Sequence, residues 1–156
     1  MADNRATDAI ITFLATGTYT GFSPVMPGTF GTLWGVFIAY LARGSGVYAE
    51  ALLIIAVFVA SVLISSRAVK IFNDQDPKSV VCDEVSGLLV AFFLIPFSAI
   101  NAIMVFIFFR FFDILKPPPI SSIERSVKGG LGVVLDDIAA GVLANICVQI
   151  ILFAIR

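Results

Sequence analysis

The feature of this sequence that most limits its fold is a run of 25 residues, 85–109, without a charged side chain. A second uncharged run covers 18 residues, 138–155, and a shorter one covers residues 51–66. A helix needs ~20 apolar residues to cross a bilayer, with ~17 as the lower limit. Only 13% of the residues are charged, against ~25% in soluble domains. The sequence therefore predicts an all-α integral membrane helical bundle.

Two apolar stretches, residues 33–42 and 85–109, do not fit a single straight membrane-spanning helix. Residues 33–42 are uncharged, and they reach span length only if their helix begins near Thr29 or Gly31. Residues 85–109 contain Pro96, which removes a backbone hydrogen bond and kinks or ends a helix. Two interpretations of this stretch stay open. It forms one long kinked span, or two short helices whose break is buried in protein or wet.

The charged side chains gather in two clusters, residues 67–84 and 110–137, and both clusters include lysine and arginine. The positive-inside rule places both clusters on the cytoplasmic side. The stretch between them must then enter the membrane and return, which favours two short helices. Near the N-terminus, the apolar run 9–15 is too short for a signal peptide, so we predict an amphipathic helix lying at the membrane surface. Length is consistent with one membrane-embedded domain, residues 1–156.

Composition excludes several function classes. The net charge of −1 offers no basic face for a nucleic acid. The chain has no histidine, which excludes His-ligated zinc and Ser-His or Cys-His nucleophile pairs. Cys82 and Cys147 form no CxxC motif, so a disulfide framework or zinc site is not expected. Any hydrolytic chemistry must use carboxylates, lysine, arginine and hydroxyl groups.

Four polar segments interrupt the apolar pattern, and they cover residues 17–32, 74–87, 109–117 and 129–141. The first is rich in glycine, proline and hydroxyl groups and precedes an apolar helix. Such a loop can present backbone N–H groups to an anion at a helix N-terminus. Alternatively it is a turn in which Thr29 or Thr32 caps the helix.

The second segment carries Asp83 and Glu84 into an apolar helix. If Asp76 or Ser79 caps this helix, with Pro77 at its first position, the two acids lie about two turns in. Carboxylates at that depth are costly unless they are paired or bind a cation. A functional role is therefore favoured for Asp83 and Glu84.

The fourth segment places two adjacent acids, Asp136 and Asp137, at the opening of a long apolar helix. Adjacent helical residues point ~100° apart, so one is expected to bind an ion while the other has a different role. The alternative is that both complement the positive helix N-terminus. Asp137 shares a face with Gly141 and Ala144, whose small side chains let another helix approach closely.

The third segment contains Arg110 and Asp113, which are three residues apart and can pair on one helix face that Lys116 continues. The alternative is a solvated ion pair at the interface. Across the segments, five acids face these cations at membrane entrances: Asp83, Glu84, Asp113, Asp136 and Asp137. Oxygen-only ligation indicates a hard cation, most simply Mg²⁺. Mg²⁺ beside cations and a Gly/Thr loop is typical of phosphoryl transfer.

The blocks at residues 17–33, 76–87, 109–120 and 129–141 together resemble the phosphatidylglycerophosphatase A family, in the same order. The resemblance implies a bacterial membrane phosphatase of phospholipid biosynthesis. It would remove the terminal phosphate of phosphatidylglycerophosphate, giving phosphatidylglycerol, and require Mg²⁺. The expected location is the bacterial inner membrane, with several spans and an active site facing the cytoplasm.

The candidate site residues match the family's acidic, basic and hydroxyl positions, and we infer their roles from their chemistry. Asp83, Glu84 and Asp137 are the predicted metal ligands, and Asp113 or Asp136 would position the attacking water. The predicted phosphate-binding residues are Thr29, Thr32, Arg110 and Lys116.

Two other functions are weighed against the phosphatase. A small membrane transporter or ion-binding helical bundle would also combine broken helices with carboxylates. It predicts an inverted repeat and acids near mid-span, whereas these acids lie at span ends and no repeat is visible. A purely structural bundle predicts that replacing the acids affects stability alone, and the four polar blocks argue against it.

Overall fold

A computed structural model describes residues 2–155, and within them the protein is entirely helical, as predicted. A short 3-10 turn at Thr20–Phe22 precedes the second helix. The seven α-helices are α1 (Ala2–Ala15), α2 (Pro27–Ala42), α3 (Val47–Phe72), α4 (Cys82–Phe92), α5 (Ala99–Leu115), α6 (Ile120–Ser126) and α7 (Gly129–Ala154).

Two helices, α3 and α7, are long and apolar enough to cross a membrane, with 26 residues each. At ~1.5 Å per residue, each exceeds the ~30 Å thickness of a bilayer core. The outer face of α3 exposes large apolar side chains at helical spacing: Leu52, Ile55, Val59 and Leu63. The outer face of α5 does the same with Ile100, Ile103, Ile107 and Ile114. Apolar stripes of this extent are unfavourable in water.

The structure resolves the ambiguity around Pro96 in favour of two short helices. α4 ends at Phe92, α5 begins at Ala99, and Pro96 lies in the connection. The Ser98 hydroxyl accepts a hydrogen bond from the Asn101 main chain and caps α5. Asparagine 145 of α7 satisfies the end of α4, because its side-chain amide donates to the carbonyl oxygens of Ala91 and Phe93. The break therefore retains hydrogen bonds although it interrupts an apolar stretch.

Glycines allow α4 to lie directly against α7. A Cβ atom added to Gly141 would lie 2.2 Å from the carbonyl oxygen of Gly87, and one added to Gly87 would lie 2.5 Å from that of Asp137. The predicted close approach along Asp137, Gly141 and Ala144 is thus confirmed, and both Gly141 and Ala144 are buried. On the other side of α4, Gly35 of α2 packs against Leu88.

The predicted first residues of α4, α7 and α2 are wrong. α4 begins at Cys82, so Asp76 and Ser79 do not cap it and its two acids lie in its first turn. α7 begins at Gly129, which places its acid pair two turns inside rather than at its opening.

α2 begins at Pro27, whose fixed φ suits the first helical position, so Thr29 and Thr32 lie inside the helix and do not cap it.

The N-terminal segment forms the helix α1, as the sequence predicts. An ion pair of 2.8 Å between Asp8 and Arg67 ties α1 to α3. Its amphipathic placement at a membrane surface stays a prediction.

Candidate active site

Three carboxylates from two helices meet at one end of the bundle. Asp83 and Glu84 come from the first turn of α4, and Asp137 comes from α7. One carboxylate oxygen of each lies within 4.8 Å of the others. Asp83 and Asp137 are 8% and 4% exposed. The glycine contact between α4 and α7 brings the three together, and we call them the acid cluster.

The acid cluster strongly disfavours negative charge when no cation is bound. The pKa of Glu84 is raised from 4.5 to about 8, chiefly by burial; the hydrogen bond with Asp83 and the charge of Arg110 oppose the rise, and the charges of Asp137 and Asp113 add to it. Burial and the charge of Glu84 also raise the pKa of Asp83 well above its ordinary value. Oxygen ligands gathered in a dry site fit a hard divalent cation, which would compensate the carboxylates.

Arg110 lies beside the acid cluster. Its Nη1 donates to Asp113 Oδ2 and lies 3.9 Å from Glu84 Oε1. The Arg110 and Glu84 side chains are 15% and 13% exposed. A Cβ atom on Gly28 would lie 2.3 Å from Glu84 Oε1 and 2.7 Å from Arg110 Nη1. A larger residue at position 28 would displace these two side-chain ends, because the start of α2 lies directly on them.

Four buried side-chain atoms have no hydrogen-bond partner within the part of the chain that the structure describes: Thr29 Oγ1, Glu84 Oε2, Ser86 Oγ and Arg110 Nε. An unsatisfied buried polar group costs about 1–3 kcal/mol. These four atoms lie on α2, α4 and α5, as expected where a bound ligand supplies the missing hydrogen-bond partners. Sequence reasoning missed Ser86, although its position one turn after Asp83 was a usable signal.

Lys116 and Asp136 pair with each other in the structure. Lys116 follows the last residue of α5 with φ +43°, so it lies outside the helix and does not extend the helical face of Arg110 and Asp113. Its Nζ donates to Asp136 Oδ2 at 2.6 Å and to Glu124 Oε1 at 2.7 Å. The expectation that Lys116 continues the Arg110 face is therefore wrong. The sequence analysis did not anticipate Glu124, which the short helix α6 supplies.

The hydroxyl groups of Thr29 and Thr32 differ in whether they are free to bind a ligand. The Thr32 hydroxyl is fully buried and donates to the Gly28 carbonyl oxygen at 2.7 Å within α2. The Thr29 hydroxyl is one of the unpartnered buried atoms. Asp113 is held by Arg110 and lies beside Asp137. The structure thus gathers Arg110 and Asp113 around the acid cluster, places Thr29 next to Gly28 at the start of α2, and leaves Thr32, Lys116 and Asp136 in other contacts.

Both the acid cluster and its surroundings lie in the region that matches a known family. Residues 13–152 match the profile of the family described as Phosphatidylglycerophosphatase A. The chain belongs to this family. Membership identifies it as an enzyme of the phosphatase class, and the resemblance stated from the four sequence blocks is confirmed.

Three relatives extend the match over most of the chain. It is 32% identical to phosphatidylglycerophosphatase A of Escherichia coli over 84% of this chain and 77% of the relative. It is 30% identical to phosphatidylglycerophosphatase A of Haemophilus influenzae over 94% and 88%. A Bacteroides thetaiotaomicron protein, provisionally named as a phosphatidylinositol-3-phosphatase, is 31% identical over 88% and 90%. No solved structure matches the chain.

Proposed function

We propose that the protein is a Mg²⁺-dependent lipid phosphatase that hydrolyses phosphatidylglycerophosphate to phosphatidylglycerol and phosphate. The observation that carries the proposal is the acid cluster, in which three carboxylates from two helices lie within 4.8 Å of one another beside Arg110, two of them buried and Glu84 half-buried. Family membership supports the reaction class, and two relatives carry the name of this activity.

Asp83, Glu84 and Asp137 are the residues that would hold the Mg²⁺ ion. Their donors are all oxygen atoms, which is the ligand set that Mg²⁺ prefers. When bound, the ion would neutralise charge on the phosphate oxygens and lower the pKa of a water molecule. The unpartnered Glu84 Oε2 supports a ligand role for this side chain.

Arg110 and Thr29 would bind the phosphate. Asp113 fixes one edge of the Arg110 guanidinium, and the buried Nε remains free to donate to a phosphate oxygen. The Thr29 hydroxyl offers a second free donor. Thr32 supports this binding indirectly, since its hydroxyl is bonded inside α2.

Asp113 is better placed than Asp136 to orient the attacking water. Asp113 lies beside Asp137, whereas Asp136 is paired with Lys116. In the proposed step, water attacks phosphorus and Asp113 accepts its proton. The bond from phosphorus to the glycerol oxygen breaks, and that oxygen takes a proton from solvent at the mouth of the site.

We place the enzyme in the bacterial inner membrane with the acid cluster at the cytoplasmic face. The exposed apolar stripes of α3 and α5 would contact lipid tails. At the acid cluster, Arg110 lies against Glu84, and both charged stretches of the sequence, residues 67–84 and 110–137, contain lysine and arginine. Embedding lets the substrate keep its acyl chains in lipid, and their exposure would cost ~0.8 kcal/mol per CH₂.

A phosphate-release assay on the purified protein in detergent tests the proposal. The panel contains phosphatidylglycerophosphate, phosphatidic acid and phosphatidylinositol-3-phosphate, with Mg²⁺ titrated and EDTA as the metal-free arm. Asp83→Asn should abolish turnover, whereas Asp74→Asn, an exposed acid outside the cluster, should not. Phosphate release that persists undiminished in EDTA contradicts the metal requirement, and preference for the inositol lipid contradicts the proposed substrate.

A further inference from the structure

A cavity of about 270 Å³ with several charged side chains in its lining shares helix α7 with the acid cluster. It is lined by Gln75, Asp76, Glu124, Arg125, Lys128 and Asp136, among others. Asp136 lines this cavity, and the next residue of α7, Asp137, belongs to the acid cluster, so this pair of α7 residues connects the two regions. Its volume is near the lower end of the ~300–1,000 Å³ typical of small-molecule sites, and it suits one part of a ligand.

Some of the charged side chains around this cavity form ion pairs and others do not. Glu124 and Asp136 both accept hydrogen bonds from Lys116 Nζ. In contrast, Arg125 and Lys128 form no ion pair within residues 2–155, and neither does the third acid of the lining, Asp76. Arg125 Nε donates to a main-chain carbonyl one turn earlier, and Lys128 Nζ lies 3.4 Å from the Glu124 main-chain oxygen. Two exposed cations therefore offer spare N–H donors in the lining of this cavity.

The chemistry of the proposed substrate supplies a matching second anion. Phosphatidylglycerophosphate carries a phosphate monoester, which is hydrolysed, and a phosphodiester, which joins the glycerol to diacylglycerol. The diester keeps one negative charge and lies one glycerol unit away from the monoester. A monoester bound at the acid cluster therefore places the diester in an adjacent space.

Resting on the proposed function, we propose that Arg125 and Lys128 bind the phosphodiester of the lipid headgroup in this cavity. They are specificity-determining residues, because they contact a group that takes no part in bond breaking. Phosphatidic acid has the same diacylglycerol and a phosphate monoester but no diester. The two cations thus favour the lipid with the second phosphate over phosphatidic acid, chiefly through substrate binding.

The test compares these two lipids, with identical acyl chains, in mixed micelles. Loss of charge-assisted contacts in the double variant Arg125→Ala/Lys128→Ala should lower kcat/KM for phosphatidylglycerophosphate about tenfold or more, mainly by raising KM. Turnover of phosphatidic acid should change less than about twofold, since it makes no diester contact. Arg125→Lys/Lys128→Arg keeps both charges and should retain most of the selectivity. Lys78→Ala removes an exposed cation outside the cavity and is the matched control.

Inhibition by product gives a readout that needs no turnover of phosphatidic acid. Phosphatidylglycerol keeps the diester, so its inhibition constant should rise about tenfold in the double variant. Diacylglycerol lacks the diester, and its inhibition constant should stay unchanged.

The outcomes separate this inference from the function on which it rests. If the wild-type protein releases no phosphate from phosphatidylglycerophosphate, the proposed function itself fails. If the wild type is active but the double variant affects both lipids equally, or neither, the diester assignment is overturned. An unchanged inhibition constant for phosphatidylglycerol in the double variant overturns it as well.

Discussion

Gly87 of α4 and Gly141 of α7 are in backbone contact, and a Cβ atom on Gly141 would lie 2.2 Å from the carbonyl oxygen of Gly87. The contact stands one turn beyond the acid cluster on each helix: Asp83 and Gly87 are four residues apart, as are Asp137 and Gly141. The separation of the two helices at this point therefore sets the separation of the carboxylates.

Gly141→Ala should impair both stability and activity. The added methyl group meets main-chain atoms, which cannot rotate away as a flexible side chain can. Overpacking costs about 1–3 kcal/mol, and a forced separation of α4 and α7 also moves Asp137 away from Asp83. Thermal unfolding in detergent and phosphate release measure the two effects. Val142→Ala, at a neighbouring exposed position, is the control, and a fully active Gly141→Ala enzyme contradicts the spacing argument.

Arg110→Lys should reduce activity although it preserves the charge. The guanidinium contacts Asp113 through one nitrogen and keeps its Nε free, whereas an ammonium cannot hold both positions. We expect kcat/KM to fall about 100-fold, the effect of a lost transition-state contact of ~2.7 kcal/mol. Steady-state phosphate release checks this, with Arg43→Lys at the opposite end of the bundle as the control. Equal activity of the two variants would remove Arg110 from the phosphate site.

Sequence patterns identified the acid cluster but not the exact element boundaries. The capping signals at Asp76 and Ser79 failed because the preceding loop is fixed by tertiary contacts. Val81 is fully buried, and its main-chain N–H donates to the Ala15 carbonyl oxygen at 2.8 Å. A prediction from local sequence cannot include this partner, because Ala15 lies more than sixty residues earlier in the chain.

Lys116 illustrates a second limit of local patterns. Its three-residue spacing from Asp113 indicates a shared face only while the helix continues. Pro117 follows, α5 ends at Leu115, and the left-handed conformation of Lys116 points its side chain toward Asp136. The small-residue step from Asp137 to Gly141, in contrast, was readable because the helix is uninterrupted there.

Metal affinity should rise with pH. The pKa of Glu84 is raised to about 8 in the metal-free protein, so at pH 7 this side chain is mostly protonated and must lose its proton to bind a cation. In the unfolded chain this side chain has its ordinary pKa of 4.5, so between 4.5 and about 8 Glu84 holds a proton in the metal-free fold but not in the unfolded chain. The free energy of unfolding contributed by Glu84 therefore falls as pH rises through about 8. Calorimetric Mg²⁺ titrations at pH 6, 7, 8 and 9 measure the affinity.

The same pH series in EDTA measures the stability of the metal-free protein. Its unfolding temperature should fall between pH 6 and pH 9, and saturating Mg²⁺ should restore it most at high pH. Glu84→Gln carries no titrating group and should flatten the part of this dependence that Glu84 contributes. A Mg²⁺ affinity that is independent of pH in the wild type contradicts the assignment of Glu84 as a ligand.

Asn145→Ala should destabilise the fold without touching the acid cluster. The Asn145 side chain donates to two carbonyl oxygens at the end of α4, at 3.0 Å and 2.7 Å, where the helix stops inside an apolar region. Removing the amide leaves both oxygens without this donor, and we expect a loss of about 1–3 kcal/mol. Gln149→Ala removes only the exposed donor to Asn145 Oδ1 and should cost far less. Urea or thermal unfolding in detergent compares the two variants, and equal stability would mean that the α4 terminus is satisfied by other groups.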